Sequence, residues 1–294
     1  MTDPVLETLK NQSITLPLAD RRRITFTGPD AARYLNGQAT NNVTNLQPGQ
    51  ACHAAICTHK GRLQGDVWIT RIGDEFHVDF EVALEDTLPA RLEKYLIADH
   101  ADCDSEPRPL PAVHVLGSGP PALESLGREN PGQTPSAIPI RRFHTDGFDL
   151  YHITASETLL HDDQTQQLRI YLGVPRWGID YNESHLAPEI FTQPDTIRYD
   201  KGCYIGQEVI ARIKSVGKVN RKLVLLEGTT PVAPGTPVEQ DGREIGTITS
   251  CMTQPLEGTP LLRALAIIKT SALEPGTQTQ FQVAENSFSP ISIQ

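Results

Sequence analysis

The chain has 294 residues, with 26 Lys or Arg against 36 Asp or Glu, for a formal net charge of −10. That length exceeds one small core and fits two or three packed subdomains or a single large domain, while the acidic balance argues against a surface built to coat nucleic acid or anionic membrane, so any anion site must be local. Five scattered cysteines suit a reducing cytosol better than a disulfide framework, and with no leader pattern after Met1-Thr2-Asp3-Pro4 and no apolar run of about 18 residues, a soluble cytoplasmic protein without a membrane segment is expected.

After a short amphipathic opening, Arg21 to Phe26 reads as a strand that runs into Gly28-Pro29-Asp30, a helix start. A brief helix from Ala31 to Asn36 follows. The polar segment Gly37-Gln38-Ala39-Thr40-Asn41-Asn42-Val43 has amides able to pair with a heteroaromatic ring, or to satisfy backbone groups in an ordinary turn. Ala51 to Thr58 is strand-like, Lys60-Gly61-Arg62 makes a turn, and Leu63 to Ile72 with Glu75 to Phe80 predicts a hairpin across Gly73-Asp74. Cys52, His53, Cys57 and His59 are residue types that bind zinc or iron. Cys52 and Cys57 are an odd number of positions apart and would face opposite sides of a regular strand, so no metal site is expected.

Leu84, Leu88, Leu92 and Tyr95-Leu96 recur at helical spacing and predict one amphipathic helix that covers a sheet. Val113 to Leu116 is the next strand, and residues 117–139 are a Gly- and Pro-rich excursion. Ile140 to His144 and Phe148 to Thr154 flank Asp146-Gly147, a hairpin signal, before a polar helical segment toward Leu168. No Walker or dinucleotide glycine fingerprint is present. The alternation predicts an α+β protein of ferredoxin-like units rather than a doubly wound sheet. From Leu223 onward, short strands punctuated by Pro234-Gly235, Asp241-Gly242, Pro255, Gly258 and Pro275-Gly276 predict a small barrel or sandwich.

The stretch Lys201-Gly202-Cys203-Tyr204-Ile205-Gly206-Gln207-Glu208 sets a cysteine beside a lysine and between two glycines. Ile205, Val209, Ile213 and Val216 then recur at helical spacing up to Gly217, so Cys203 is expected at or just before a helix N-terminus. Unpaired backbone N–H groups there, with Lys201 nearby, would favour a thiolate. A small buried hydrophobe is the alternative reading of the same cysteine. Lys201, Arg212, Lys214, Lys218, Arg221 and Lys222, against the single acid Glu208, make a positive patch suited to a carboxylate tail or a phosphate, or simply a solvated helix face.

The octapeptide resembles the signature K-G-C-[YF]-x-G-Q-E of the YgfZ-type folate-binding proteins, relatives of the glycine-cleavage T protein (aminomethyltransferase) associated with iron–sulfur cluster maintenance and tRNA modification. Gly28 to Ala31, Gly37 to Asn41 and Lys60 to Arg62 are similar to the opening of that superfamily, and Leu168 to Pro175 with Gly178-Ile179-Asp180 to its L-R-x-E-x-G-x-P and G-x-D segments. The resemblance implies a T-protein-like fold closed by a small antiparallel β-barrel. It implies a folate-binding core in 1–50 and 140–222, an inserted α+β domain in 51–139 and the barrel in 223–294.

It further implies a slot for tetrahydrofolate or a derivative. Gln38, Thr40, Asn41, Tyr171, Trp177, Asp180, Tyr204, Gln207 and Glu208 would line it, with Arg212 and Arg221 near the glutamate tail. Cys203 would be the reactive group and Lys201 its companion. Folate and iron–sulfur client enzymes are the implied partners, with tRNA reached indirectly. Two departures count against the aminomethyltransferase reaction: Tyr171 stands where those enzymes place a pterin-pairing glutamate, and their catalytic aspartate has no clear counterpart, Asp79 and Asp86 both being off register. A non-catalytic RNA-binding or scaffold module is the remaining alternative. Cys251 stands where relatives often carry glycine and is given no role.

Overall fold

The computed structural model describes residues 13–117, 136–151, 162–191, 195–215, 217–256, 259–273 and 280–291. The opening segment, most of the Gly- and Pro-rich excursion, the stretch 152–161 and the turns at Gly258 and Pro275-Gly276 lie outside them.

In chain order the elements are β1 (Ile14–Pro17), β2 (Arg21–Thr27), α1 (Ala31–Gln38), β3 (Ala51–Cys57), β4 (Leu63–Ile72), β5 (Glu75–Glu81), α2 (Leu88–Glu93), β6 (Asp102–Pro109), β7 (Ala112–Leu116), β8 (Ser136–Pro139) and β9 (Gly147–Tyr151). Then come α3 (Asp162–Tyr171), α4 (Ala187–Ile190), α5 (Gln207–Ser215), β10 (Arg221–Gly228), β11 (Pro237–Gln240), β12 (Arg243–Cys251), β13 (Leu262–Lys269), β14 (Phe281–Val283) and β15 (Asn286–Ile291). Among the described residues these strands form a five-stranded sheet of order β3-β4-β5-β2-β6, a four-stranded sheet of order β1-β7-β9-β8, and a closed barrel of order β10-β13-β12-β11-β14-β15. The α+β architecture and the C-terminal antiparallel barrel are those the resemblance implies.

The five-stranded sheet explains where a site can form. Side chains alternate between its faces, and Ile24 and Phe26 of β2, Ala54 of β3, Leu63, Val67 and Ile69 of β4, and Phe76, Val78 and Phe80 of β5 join Leu35, Leu88 and Leu92 in one core cluster. The other face is polar. Its register sets His53 opposite Trp68, Trp68 opposite Asp79, Arg23 opposite Asp79 and Arg21 opposite Glu81. An antiparallel sheet normally turns such a face to water. Here it is covered, since Asp79 and Glu81 are buried and Arg142 of the β8–β9 loop hydrogen-bonds both Asp79 of this sheet and Asp149 of β9.

Several local expectations are revised. The 84–96 helix divides into a 3₁₀ turn, Val82–Leu84, and α2, because Pro89 lacks an N–H and fits the first turn of a helix rather than its middle. Residues 140–146 are a turn, with β8 ending at Pro139, so the hairpin loop is longer than Asp146-Gly147 alone. Strand β6 was not anticipated: it lies at the sheet edge, with Pro107 and Pro109 and five exposed residues hiding any apolar alternation. The five-stranded sheet takes β2 from one side of residue 50 and β3 to β6 from the other. No helix among the described residues is long and apolar enough to cross a membrane.

Candidate functional site

Where the polar sheet face meets the β8–β9 loop, the start of α3 and the segment after it, the protein encloses a cavity of ≈ 250 Å³. Its aromatic wall includes Trp68, Phe143 and Phe191, and its charged wall Arg21, Asp66, Glu81, Arg142, Arg169 and Arg176. This is the mixture of ring surfaces and a few placed polar groups typical of small-molecule sites.

His53, Asp66 and Thr196 all line it. The His53 ring stacks on Trp68 at 4.7 Å between centroids and meets Phe191 edge-on at 5.3 Å. Its Nε2 is 2.5 Å from Asp66 Oδ1 and its Nδ1 2.9 Å from Thr196 Oγ1. The second carboxylate oxygen of Asp66 accepts a hydrogen bond from the Tyr181 hydroxyl. Burial works to raise the Asp66 carboxyl, but the charge and hydrogen bond of His53, the Tyr181 hydroxyl and Arg21 outweigh it and hold the group below its usual value. Glu81 goes the other way: burial pushes it up to about 7 despite Arg21 and Arg176 nearby. One cavity thus holds two carboxylates with opposite shifts, an arrangement suited to acid–base division of labour.

The arginines are anchored from behind. Arg142 is held by Asp79 and Asp149, Arg21 by Asp79, and Arg169 by Asp180 at 2.9 Å. Arg176 differs, since its partners are Asp20, with a side chain 44% exposed, at 2.6 Å, and Glu81 at 3.1 Å.

The residues expected from the sequence take other places. Gln38, Thr40 and Asn41 are buried and spent on the fold: Gln38 accepts from Arg91 at 2.9 Å, the Thr40 hydroxyl donates to Thr196 O at 2.7 Å and accepts from Ala55 N at 2.8 Å, and Asn41 donates to the carbonyls of His53 and Asp195. Tyr171 is buried under Arg263, 3.8 Å above its ring. Trp177 is buried with its ring edge-on to Tyr181, and its backbone N–H donates to Glu81. Asp180 gathers Arg169, the N–H of Arg176 and the hydroxyls of Thr249 and Ser250, which ties the cavity wall to the barrel. These groups position the cavity wall from behind without lining it.

The octapeptide also stands apart from the cavity lining. Lys201 donates to the carbonyls of Asn36, Ala39 and Asn41 at 2.7, 2.7 and 2.6 Å, using its three N–H donors on the end of α1 and the loop after it. Burial lowers its amine to about 8. Tyr204 is buried with the Lys201 ammonium 5.1 Å over its ring. Gly206, with φ of 90°, packs so closely on the Cys57–Gly61 turn that a Cβ would meet Thr58 O at 2.6 Å. The three signature segments therefore meet in space, and most of their side chains serve that packing. Cys203 is exposed four residues before α5. Gln207 and Glu208 begin α5, Arg212 is exposed on it, and Arg221 pairs with Glu189 at 3.3 Å and donates to Ser184 O.

Sequence reasoning missed most of the cavity wall: His53, Asp66, Glu81, Arg142, His144, Arg169 and Arg176. A usable signal was present in β2, β4 and β5, whose alternation puts every Arg, Asp or Glu that reaches the cavity on one face. The missing strand aspartate was sought at Asp79 and Asp86. The strand aspartate that reaches the cavity is Asp66, while Asp79 is committed to Arg21 and Arg142.

Comparison with known proteins agrees with this architecture. Residues 7–126 match the GCVT N-terminal domain family. The tRNA-modifying protein YgfZ of Cronobacter sakazakii is 29% identical over 303 residues, covering 92% of this chain and 88% of the relative. A putative chloroplastic transferase of Arabidopsis thaliana is 23% identical, covering 84% of this chain and 64% of its own. The crystal structure of the glycine cleavage system aminomethyltransferase T from Bartonella henselae superposes with a TM-score of 0.75 at 17% identity, over 100% of this chain and 90% of that one. That likeness is one of fold.

Proposed function

The chain is a YgfZ-type protein of the glycine-cleavage T-protein superfamily, and on that premise we propose that it binds tetrahydrofolate or a derivative in the central cavity and supports iron–sulfur enzymes, tRNA-modifying ones among them. The observation that carries the reading is the composition of the cavity wall. Trp68, Phe143 and Phe191 offer ring faces to a pterin, Asp66 and Glu81 are acceptors for its N–H groups, and Arg176 stands ready for a glutamate carboxylate. When bound, the folate supplies a carrier for a one-carbon unit. The protein's own groups hold and orient it, and His53 with Asp66 and Thr196 forms a chain of hydrogen bonds able to pass a proton at the cavity wall.

Cys203 then belongs to the outer surface, where a client protein or its cluster can reach it. The test is complementation of a strain lacking the gene. Wild type is expected to restore the activity of iron–sulfur enzymes and the tRNA modifications that depend on them, and Cys203→Ser to fall short. Full restoration by Cys203→Ser would remove the thiol from the account.

One observation favours a second reading, transfer of an aminomethyl group from a lipoyl carrier to tetrahydrofolate: Asp66 supplies a cavity carboxylate that the sequence alone did not reveal. Formation of methylene-tetrahydrofolate by purified protein and aminomethyl-lipoyl carrier would establish it. Absence of product leaves the accessory role as the account.

A further inference from the structure

Away from the cavity, two guanidiniums meet at one backbone oxygen. Arg62, in the turn between β3 and β4, donates through Nη1 to the carbonyl of Ser184, and Arg221, the first residue of β10, donates through Nη2 to the same oxygen at 3.1 Å. Their terminal nitrogens therefore lie within two hydrogen-bond lengths of each other, about 6 Å at most. Like charges that close repel, and a carbonyl carries no net charge to offset them.

The fold brings the two together from separate elements. Leu63 N–H donates to His185 O at 2.9 Å and Ala187 N–H to Gly61 O at 3.3 Å, which fastens the turn to the segment before α4. Glu189 of α4 pairs with Arg221 at 3.3 Å and so compensates one of the two charges. Arg62 has no ion-pair partner among the described residues. Both side chains reach the surface, Arg62 as an exposed residue and Arg221 with 39% of its side chain accessible. A guanidinium has five N–H donors, so each fork keeps donors for a ligand.

The positive character continues from this pair. Helix α5 packs on the same turn, since a Cβ on Gly61 would meet Val209 and Ile210 at 3.3 and 3.4 Å. Arg212, three residues after Val209, shares that face of the helix, and Lys60 precedes Gly61; both are exposed. The segments 58–62, 182–190 and 207–222 together carry seven Lys or Arg against three Asp or Glu, in a chain of net charge −10. Of those acids Glu189 is the buried partner of Arg221, while Glu183 and Glu208 are exposed.

We propose that Arg62 and Arg221 clamp one phosphate of a nucleic-acid backbone, with Lys60 and Arg212 beside the neighbouring phosphates. Planar guanidinium forks match phosphate oxygens, and a strand repeats that charge along its length, as the cations continue beyond the pair. Contacts of this kind position a strand without reading its bases. The pair stands outside the cavity lining, so the site does not depend on the folate reading.

The test is fluorescence anisotropy with a labelled RNA single strand of about 20 nucleotides, at about 50 and 200 mM salt, for wild type, Arg62→Gln and Arg243→Gln. Arg243, exposed on β12, controls for loss of a charge elsewhere. Thermal melts establish that both variants fold. Arg62→Gln is expected to bind about tenfold more weakly at the lower salt, with the slope of log affinity against log salt shallower by about 0.7, and Arg243→Gln to match wild type. Absence of binding by wild type at the lower salt would overturn the proposal, as would equal affinity of the three proteins or an equal loss in the two variants. Displacement of the strand by polyglutamate at the same concentration of charge would assign the pair to an acidic protein partner and overturn it as well.

Discussion

Arg142 and Asp79, 63 residues apart in the chain, are joined by two hydrogen bonds of 3.0 and 2.7 Å with both side chains buried. The same guanidinium grips Asp149, so one residue of the β8–β9 loop links the five-stranded sheet to the four-stranded one. Coulombic attraction to Asp149 and Asp79 outweighs burial and raises Arg142 well above its ordinary value. Replacing it with methionine leaves two buried carboxylates short of a partner. Breaking such a pair costs about 3–5 kcal/mol. Arg142→Met is expected to lower the denaturation midpoint sharply in a chemical melt, whereas an unchanged midpoint would mean that the two sheets are held by their apolar contacts alone.

Lys201 and Cys203 differ in how the fold holds them: Lys201 is bonded to three carbonyls, while Cys203 is exposed. Lys201→Met removes three charge-assisted bonds to carbonyls of the α1 end, and with hydrogen bonds to charged groups worth about 1.5–3 kcal/mol a loss of that order is expected, with faster amide exchange at residues 36–42. Cys203→Ser, at an exposed position, is expected to change stability by no more than about 0.5 kcal/mol. Equal destabilisation by the two would contradict the division.

Gly206 is required by its backbone. Its φ of 90° and the 2.6 Å from a hypothetical Cβ to Thr58 O make Gly206→Ala a combined strain and clash, expected to cost roughly 1–3 kcal/mol. Gly37, with nothing within 4 Å of its added Cβ, is the control: alanine there is expected to be tolerated, as thermal melts of the two variants can establish.

His144 makes stability depend on pH. In the unfolded chain it binds a proton below its ordinary 6.5, while in the folded protein it does so only below about 4. Between those values the unfolded state carries more protons, so stability rises with pH across the window; the contribution is complete above about 6.5 and is lost as the pH falls toward 4. His144→Asn is therefore expected to lose less melting temperature than wild type between pH 7 and 4.5. Parallel losses would place the acid sensitivity elsewhere.

How much of this was legible in the sequence follows from how each part is encoded. The β4–β5 hairpin, α5 with Cys203 ahead of it, and the C-terminal barrel announce themselves through contiguous periodicity and turn residues; the hairpin and α5 stand at or near the expected bounds, and the barrel is present. The cavity does not, because its wall is gathered from many separate elements: His53 from β3, Asp66 from β4, Glu81 from β5, Arg142 and His144 from one loop, Arg169 from α3. Contiguous motifs drew attention to Gln38, Thr40, Asn41 and Lys201 instead. Their hydrogen bonds, to Arg91 and to backbone groups of 36–55 and 195–196, show why those positions are demanding: they fasten the loop after α1 in place. A demand for particular residues arises as readily from packing a turn as from touching a ligand.

The central claim is that the ligand site is the sheet-face cavity and not the Lys201 to Glu208 stretch. Calorimetric titration of 5-formyltetrahydrofolate into wild type, Asp66→Asn and Cys203→Ser tests it most directly. The account predicts wild-type affinity for Cys203→Ser and at least about tenfold weaker binding for Asp66→Asn. Loss of binding in Cys203→Ser with wild-type affinity in Asp66→Asn would contradict it.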